Sequence, residues 1–307
     1  MNDHSGSGKL IHDSFYPQSR FLMKQKKSKL LSFAWVILVL SLMIFTSTSH
    51  SSDGDDLVEA AHTGNLSKVR TLLKKGIDVN HKDSVGATAL MIASEFGHEK
   101  IVQALLDKGA QVNHQRKDGV TALMIASQEG HEVIVQALLD KGAKIDHQTK
   151  NGVTALMIAS QNGHEKIVQA LLDKGVKIDH QAKNGITALM IASQQGYEAI
   201  VRVLLDKGAK IDYQSNQGAT ALMIASQEGH EVIVQALLDK GAKIDHQAKN
   251  GVTALILATS YGHEAIVRVL LAKGAKVNLR ENDGKTALNY AKTQQIQKLL
   301  KAAGATE

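Results

Sequence analysis

The sequence predicts an all-α repeat fold, a solenoid of stacked helix–turn–helix units with connecting hairpin loops. The first observation behind this prediction is that Thr-Ala-Leu recurs at a constant step of 33 residues, which is typical of repeat architectures. These tripeptides begin at Thr88, Thr121, Thr154, Thr187, Thr220, Thr253 and Thr286. The second is that each unit holds two short apolar stretches, and helices of that length are marginal alone. Each unit must therefore be stabilised by stacking on the next.

The third observation is compositional. The chain has 307 residues, of which 43% are hydrophobic, and it has no Cys. It is too apolar for global disorder. The absence of Cys excludes a disulfide framework, a thiol nucleophile and a Cys-ligated zinc or iron–sulfur site. Packing alone must hold the fold together, and Pro17, the single proline, precedes the repeats.

The first element along the chain is the uncharged run LLSFAWVILVLSLMIF over residues 30–45. It follows the basic run MKQKKSK and precedes TSTSHSS, an arrangement typical of a secretory signal. Sixteen helical residues span roughly 24 Å, less than the roughly 30 Å of a hydrocarbon core, which favours a signal peptide over a membrane anchor. The basic flank keeps the N-terminal side in the cytoplasm. We therefore expect the repeats to be periplasmic, secreted, or membrane-anchored on the non-cytoplasmic side.

Two start sites remain open for this segment. Translation from Met23 would give an ordinary signal with cleavage after Ser49 or Ser51, whereas the longer tail from Met1 favours an uncleaved anchor that holds the chain in the membrane through residues 30–45. The segment also explains the charge. Residues 1–52 carry six Lys or Arg and two Asp, so +4 of the total net charge of +6 lies there. The repeats are close to neutral.

The unit that begins at Thr88 shows why two helices are expected. From Ile101 to Leu106 the sequence IVQALL has the i, i+1, i+4, i+5 spacing of one helical stripe. Gly97 separates it from a first helix of about nine residues, because a left-handed turn costs little at Gly. Lys108 is expected in the last turn of the second helix, which Gly109 ends. The Asp-Gly and Asn-Gly pairs before each Thr predict hairpins in which both residues take positive φ.

At the level of the whole unit, the sequence resembles the ankyrin repeat family, whose unit also has 33 residues. The second Thr-Ala-Leu unit carries the resemblance through Gly119, Thr121, Leu123, Ala126, Gly130, His131, Ile134, Val135, Leu138, Leu139, Gly142 and Ala143. Two positions depart from the family pattern, since Ala122 and Met124, with their counterparts, stand where the family has Pro and His. The resemblance implies a non-catalytic protein-binding array.

The resulting organisation has four parts. Residues 1–29 form a disordered basic tail, 30–45 the apolar segment, 46–54 a linker and 55–305 the repeat domain. Within the repeat domain we expect a capping unit over 55–87, six full units over 88–285 and a shortened C-terminal cap over 286–305.

Candidates for chemistry recur in every unit, whereas a catalytic centre should occur once. One row of histidines starts the second helices at His98, His131, His164, His230 and His263, and a second row ends the units at His81, His114, His147, His180 and His246. Stacked copies lie about 10 Å apart, too far for ligands that must each reach one ion at about 2 Å. We interpret the aligned methionines as core filling. We therefore expect no metal, cofactor, catalytic residue or small-molecule substrate.

The ankyrin resemblance implies a partner surface made of the exposed ends of the first helices and the hairpin tips. Carried onto this sequence, it comprises Glu95, Phe96, Gln128, Glu129, Gln161, Asn162, Gln194, Gln195, Gln227, Glu228, Ser260 and Tyr261. The hairpin tips add Lys117, Lys150, Lys183 and Lys249, with Asn216 interrupting the row. We expect a polar, Gln-rich floor with an exposed aromatic residue at each end. Its regular repeat suits an extended or repetitive partner.

The function that we expect is a monomeric, exported, non-catalytic scaffold for an unidentified protein partner. A secreted effector that acts on a partner in another cell is the alternative within binding proteins. From another class, a metal-binding or enzymatic protein would have to use a histidine row. Nucleic-acid binding is not expected, because it requires interleaved Arg and aromatic residues with surplus positive charge.

Overall fold

The computed structural model describes residues 53–306, which belong to one compact unit. The apolar run over 30–45, its basic flank and both candidate start residues lie outside the described residues. The targeting predictions therefore stay predictions. Among residues 53–306, no helix is both long and apolar enough to cross a membrane.

The described residues form sixteen α-helices in eight consecutive pairs. In each pair the first helix has an odd number and the second an even number. They are α1 (Asp53–His62), α2 (Leu66–Lys74), α3 (Ala89–Glu95), α4 (Glu99–Asp107), α5 (Ala122–Glu129), α6 (Glu132–Asp140), α7 (Ala155–Asn162), α8 (Glu165–Asp173), α9 (Ala188–Gln195), α10 (Glu198–Asp206), α11 (Ala221–Glu228), α12 (Glu231–Asp239), α13 (Ala254–Tyr261), α14 (Glu264–Ala272), α15 (Ala287–Tyr290) and α16 (Gln294–Ala302). The predicted helix pairs and the solenoid fold are confirmed.

Local sequence sets both ends of a first helix. In α5, the Thr121 hydroxyl accepts a hydrogen bond from the Met124 backbone N–H at 3.4 Å, which satisfies one of the free donors at the helix start. Gly130 ends the helix at φ +84°, in the left-handed region that favours glycine. The helix has eight residues, close to the nine that were expected.

The second helices end one residue earlier than predicted. Lys108, which we expected in the last turn of α4, is the first residue beyond it, because α4 ends at Asp107. The Lys108 backbone N–H bonds to the Leu105 carbonyl at 3.1 Å, and Gly109 then turns the chain at φ +84°.

The hairpin turns use one left-handed residue instead of two. We expected positive φ at both Asp118 and Gly119, but among residues 53–306 only glycines have it. The Gly119 N–H donates to the Arg116 carbonyl at 2.8 Å, and the Asp118 carboxylate accepts from the Val120 N–H at 3.2 Å. Asp118 supports the turn through its side chain, without the steric cost that a left-handed backbone imposes on a residue with Cβ.

The core lies between the two helices of each unit and between neighbouring units. The aligned methionines are all about 1% exposed, which confirms that they fill the core; they are Met91, Met124, Met157, Met190 and Met223. The first helices pack more closely against one another than the second helices do. The array therefore curves with the first helices on its concave side.

The last unit is a shortened version of the others. Its first helix, α15, has four residues, because the Gly-His pair that follows the other first helices is missing. Thr286 and Asn289 form a capping box at its start. The Tyr290 hydroxyl donates to Glu281, which ties the end of α15 back to the preceding hairpin.

Candidate protein-binding surface

The core leaves one face of the first helices uncovered over much of the array. In α3, Ile92, Glu95 and Phe96 share this face through their i, i+3, i+4 spacing, while Met91 and Ala93 are buried on the other side. We call the row of these triplets the open face. Its other members are Ile125, Gln128 and Glu129; Ile158, Gln161 and Asn162; Ile191, Gln194 and Gln195; Ile224, Gln227 and Glu228; and Leu257, Ser260 and Tyr261.

The exposure of this face falls from the N-terminal to the C-terminal units. Glu95, Phe96, Gln128 and Glu129 are exposed. The middle and later positions are half-buried: Gln161, Asn162, Gln194, Gln195, Glu228 and Tyr261. The accessible part of the open face therefore lies in the units from Thr88 to residue 219.

Two predicted surface residues are buried, so the expectation of exposure is wrong there. Gln227 is 2% exposed and Ser260 1%. The Gln227 amide donates to Glu228 at 2.9 Å and its carbonyl accepts from His263 at 2.8 Å, so the array itself satisfies its polar groups. Ser260 has too short a side chain to reach past Tyr261 beside it.

The floor of the open face is more apolar than predicted. Ile92, Ile125, Ile158 and Ile191 are partly exposed, one in each unit, although buried residues flank them along the helix. The sequence interpretation missed this isoleucine row because it took all the apolar residues of the first helix as core. The i, i+3, i+4 relation to the Gln and Glu positions could have revealed it.

The N-terminal end of the open face combines an aromatic ring with two carboxylates. Phe96 is 43% exposed, and its ring centroid lies 4.5 Å from that of His62 and 6.3 Å from that of His98. Partial burial, together with the negative charge of Glu129, raises the pKa of the Glu95 carboxyl. Its counterpart at the other end, Tyr261, is half-buried and stacks on His263 at 6.3 Å.

The hairpin tips form an edge beside the open face. We call the row Lys117, Lys150, Lys183, Asn216 and Lys249 the hairpin edge. From Lys150 onward, each backbone N–H in this row donates to the tip of the preceding hairpin at 2.9 to 3.1 Å. These bonds fix the spacing of the row. The four lysines are exposed, and within residues 53–306 their amines make no ion pair or hydrogen bond.

Lysines on the opposite side, at the ends of the second helices, are all paired. Each Nζ lies 2.8 to 3.1 Å from an Asp of the preceding unit, and we call this row the outer ladder. Its pairs are Lys141–Asp107, Lys174–Asp140, Lys207–Asp173, Lys240–Asp206 and Lys273–Asp239. Hydrogen bonds from the lysines lower the pKa of four of these carboxyls: Asp107, Asp140, Asp173 and Asp239.

The first histidine row joins units to one another. His164 Nε2 lies 2.9 Å from the Gln128 carbonyl, and because a carbonyl only accepts, the ring nitrogen donates. The same contact to the preceding unit is made by His98, His131, His230 and His263 at 2.8 to 3.2 Å. The ring packs so closely on Gly130 that a Cβ there would lie 2.6 Å from it. These histidines are therefore structural residues.

The second histidine row and its neighbouring acids are also engaged with backbone groups. His147 Nε2 donates to the Gly119 carbonyl at 3.1 Å, while Asp146 accepts from the Lys177 backbone N–H at 2.8 Å. Asp146 therefore does not orient His147 as a catalytic partner would. Across the part of the chain that the structure describes, no group of three or more His, Cys, Asp or Glu side chains could hold a metal ion.

Comparison with protein families agrees with this geometry. A family model described as ankyrin repeats, in three copies, matches residues 45–116, 111–182, 175–248 and 222–305. A search of curated proteins gives no match. Ankyrin repeats indicate a protein-binding scaffold, and the fold is typically non-catalytic. The matches extend over nearly the whole of the described chain, so this protein belongs to the ankyrin repeat family.

Proposed function

We propose that this protein is an exported, non-catalytic scaffold that holds a protein partner on its open face and hairpin edge. The observation that carries the proposal is the contrast between the two sides of the array. Polar groups of the outer ladder are engaged with neighbouring units, whereas the hairpin edge presents four exposed lysines without partners beside a partly exposed isoleucine row. Exposed apolar surface next to unpaired charge is what a protein partner can use.

A capture experiment with matched variants tests this surface. Gln128→Arg, Gln161→Arg and Gln194→Arg change three positions of the open face, and Gln136→Arg, Gln169→Arg and Gln235→Arg change three glutamines on the second helices. Both triple variants add the same charge. We expect capture of the partner from the exported fraction to be lost with the open-face variant and retained with the second-helix variant. Equal capture by both would refute the proposed surface.

Export is the second part of the proposal and rests on the basic-then-apolar pattern of residues 24–51. N-terminal sequencing of the mature chain tests it. A start near Ser52 in the exported fraction would mean a cleaved signal, and an intact Met23 or Met1 in the membrane fraction would mean an anchor. A chain with an intact N-terminus in the cytoplasmic fraction would contradict export.

A further inference from the structure

We propose that the occupant of this surface is an amphipathic α-helix with an apolar stripe and an acidic residue at every seventh position along one flank. The inference rests on the proposed function and names the chemistry of the partner. It follows from three features of the units from Thr88 to residue 219: the charge of the edge, the nature of the floor and the repeat distance that they share.

The charge of the edge requires an acidic partner. Lys150 and Lys183 are followed by Asn151 and Asn184, so these hairpins contain no carboxylate that could pair with them. Lys117 has Asp118 beside it, but that carboxylate already binds Arg116 at 2.6 Å. Three neighbouring lysines are thus left for negative charges on another molecule.

The nature of the floor favours a helix over an extended segment. Ile125, Ile158 and Ile191 lie on α-helices whose backbone groups are bonded internally. A strand or a polyproline segment laid along them would find no backbone partners for its own N–H and C=O groups. An α-helix satisfies its backbone internally and can place an apolar stripe on the isoleucines.

The repeat distance sets the spacing of the acidic residues. Stacked units recur at about 10 Å, and seven residues of an α-helix rise about 10.5 Å. A helix that runs along the array therefore brings one acidic side chain per heptad to one lysine per unit. The hairpin edge borders the floor, because Arg116, beside Lys117, is close enough to Glu95 for their charges to affect each other's pKa.

Synthetic peptides and the full-length protein provide the test. The probe is a fluorescent peptide of about 28 residues, roughly 42 Å as a helix, with two leucines and one glutamate in fixed positions of each heptad. One control peptide has the same composition with the glutamates moved out of the seven-residue recurrence, and another has a central proline that breaks the helix. Binding is followed by fluorescence anisotropy at low and high salt.

Two charge-matched protein variants complete the design. Lys117→Gln, Lys150→Gln and Lys183→Gln change the hairpin edge, and Lys141→Gln, Lys174→Gln and Lys207→Gln change the outer ladder. We expect the heptad peptide to bind wild-type protein, and the hairpin-edge variant to bind it about tenfold more weakly with less dependence on salt. The outer-ladder variant should retain wild-type affinity.

Several outcomes would overturn the inference. They are equal weakening by both triple variants, equal binding of either control peptide, and no binding of the heptad peptide. Single-stranded DNA that binds the hairpin edge more tightly than the peptide would also overturn it, by showing a polyanion site instead. If the peptide fails while the open-face glutamine variant still loses partner capture, the proposed function stands and only the helical, acidic partner is wrong.

Discussion

The outer ladder and the hairpin edge place the same residue type at the same 33-residue interval in opposite situations. Lys174 of the outer ladder lies 2.9 Å from Asp140 of the unit before it, while Lys150 of the hairpin edge has no ionic partner within residues 53–306. One row links units to each other and the other leaves its charge for another molecule. The difference teaches that, in a repeat protein, a recurring residue indicates function only when its unit neighbours leave it unpaired.

The two sides also differ in how tightly successive units meet. On the concave side the ring of His164 packs against Gly130, whereas nothing lies within 4 Å of a Cβ added at Gly142, after the second helix of the same unit. Both glycines have φ near +84°. The pair separates the cost of a backbone conformation from the cost of a close contact.

The largest effect is expected when this close contact is disturbed. Gly130→Ala should lower the free energy of unfolding by about 2 to 3 kcal/mol, because the left-handed backbone is strained and the new methyl displaces a ring held by the Gln128 carbonyl. Gly142→Ala, its matched control, should cost about 1 kcal/mol from the backbone alone. Chemical denaturation measures both. Equal losses would show that the histidine contact does not restrain the junction.

A smaller effect is expected from His164 itself. His164→Ala removes the donor to the Gln128 carbonyl and should lower the free energy of unfolding by about 1 to 2 kcal/mol. His164→Tyr is the control, because Tyr197 occupies this position in the next unit and also lies against a glycine. If Tyr restores most of the loss, filling of the space matters more than the hydrogen bond. No loss with Ala would contradict the structural role of this row.

The outer ladder should contribute little, and only above acidic pH. Its hydrogen bond from Lys174 lowers the pKa of Asp140, so the contribution is complete above the unfolded pKa of about 3.9 and is lost as pH falls through the lower folded value. Asp140→Asn should therefore remove part of the stability lost between neutral and strongly acidic pH. Thermal unfolding across that range measures it. An unchanged acid dependence would mean that the pair does not contribute.

The smallest effect on stability is expected at the hairpin edge. Lys150→Gln removes a charge that has no partner, so the free energy of unfolding should change by less than about 0.5 kcal/mol. Lys174→Gln is the charge-matched control, and its effect should decrease as salt is added. A clear destabilisation by Lys150→Gln would show that the hairpin-edge lysines are structural, which removes the contrast with the outer ladder.

The fold could be predicted almost completely from the sequence, because its determinants are local and repeated. The Thr and Gly residues that bound each first helix recur at fixed positions, and each acts through contacts within a few residues. The error at the hairpins was also local. Asn and Asp tolerate left-handed backbone, but Asp118 stabilises its turn through a side-chain bond instead.

The candidate surface could be predicted less well, because exposure depends on the position of a unit in the array. Residues 121–153 and 220–252 differ only at Thr149 and Ala248, yet Gln128 is exposed and Gln227 is buried. No property of the unit sequence could distinguish them. The pairing of the outer ladder was similarly hidden, since Lys174 and Asp140 lie 34 residues apart and in different units.

Site-specific photocrosslinking at two glutamines tests the central claim most directly. Gln161 lies on the open face of α7, and Gln169 lies on α8, where its amide donates to Asp173 at 2.7 Å. A photoreactive residue at each position, in the full chain in its own cells, reports which side touches a partner. The account predicts a discrete adduct from position 161 and none from position 169. The same adduct from both positions, or one from position 169 alone, would contradict it.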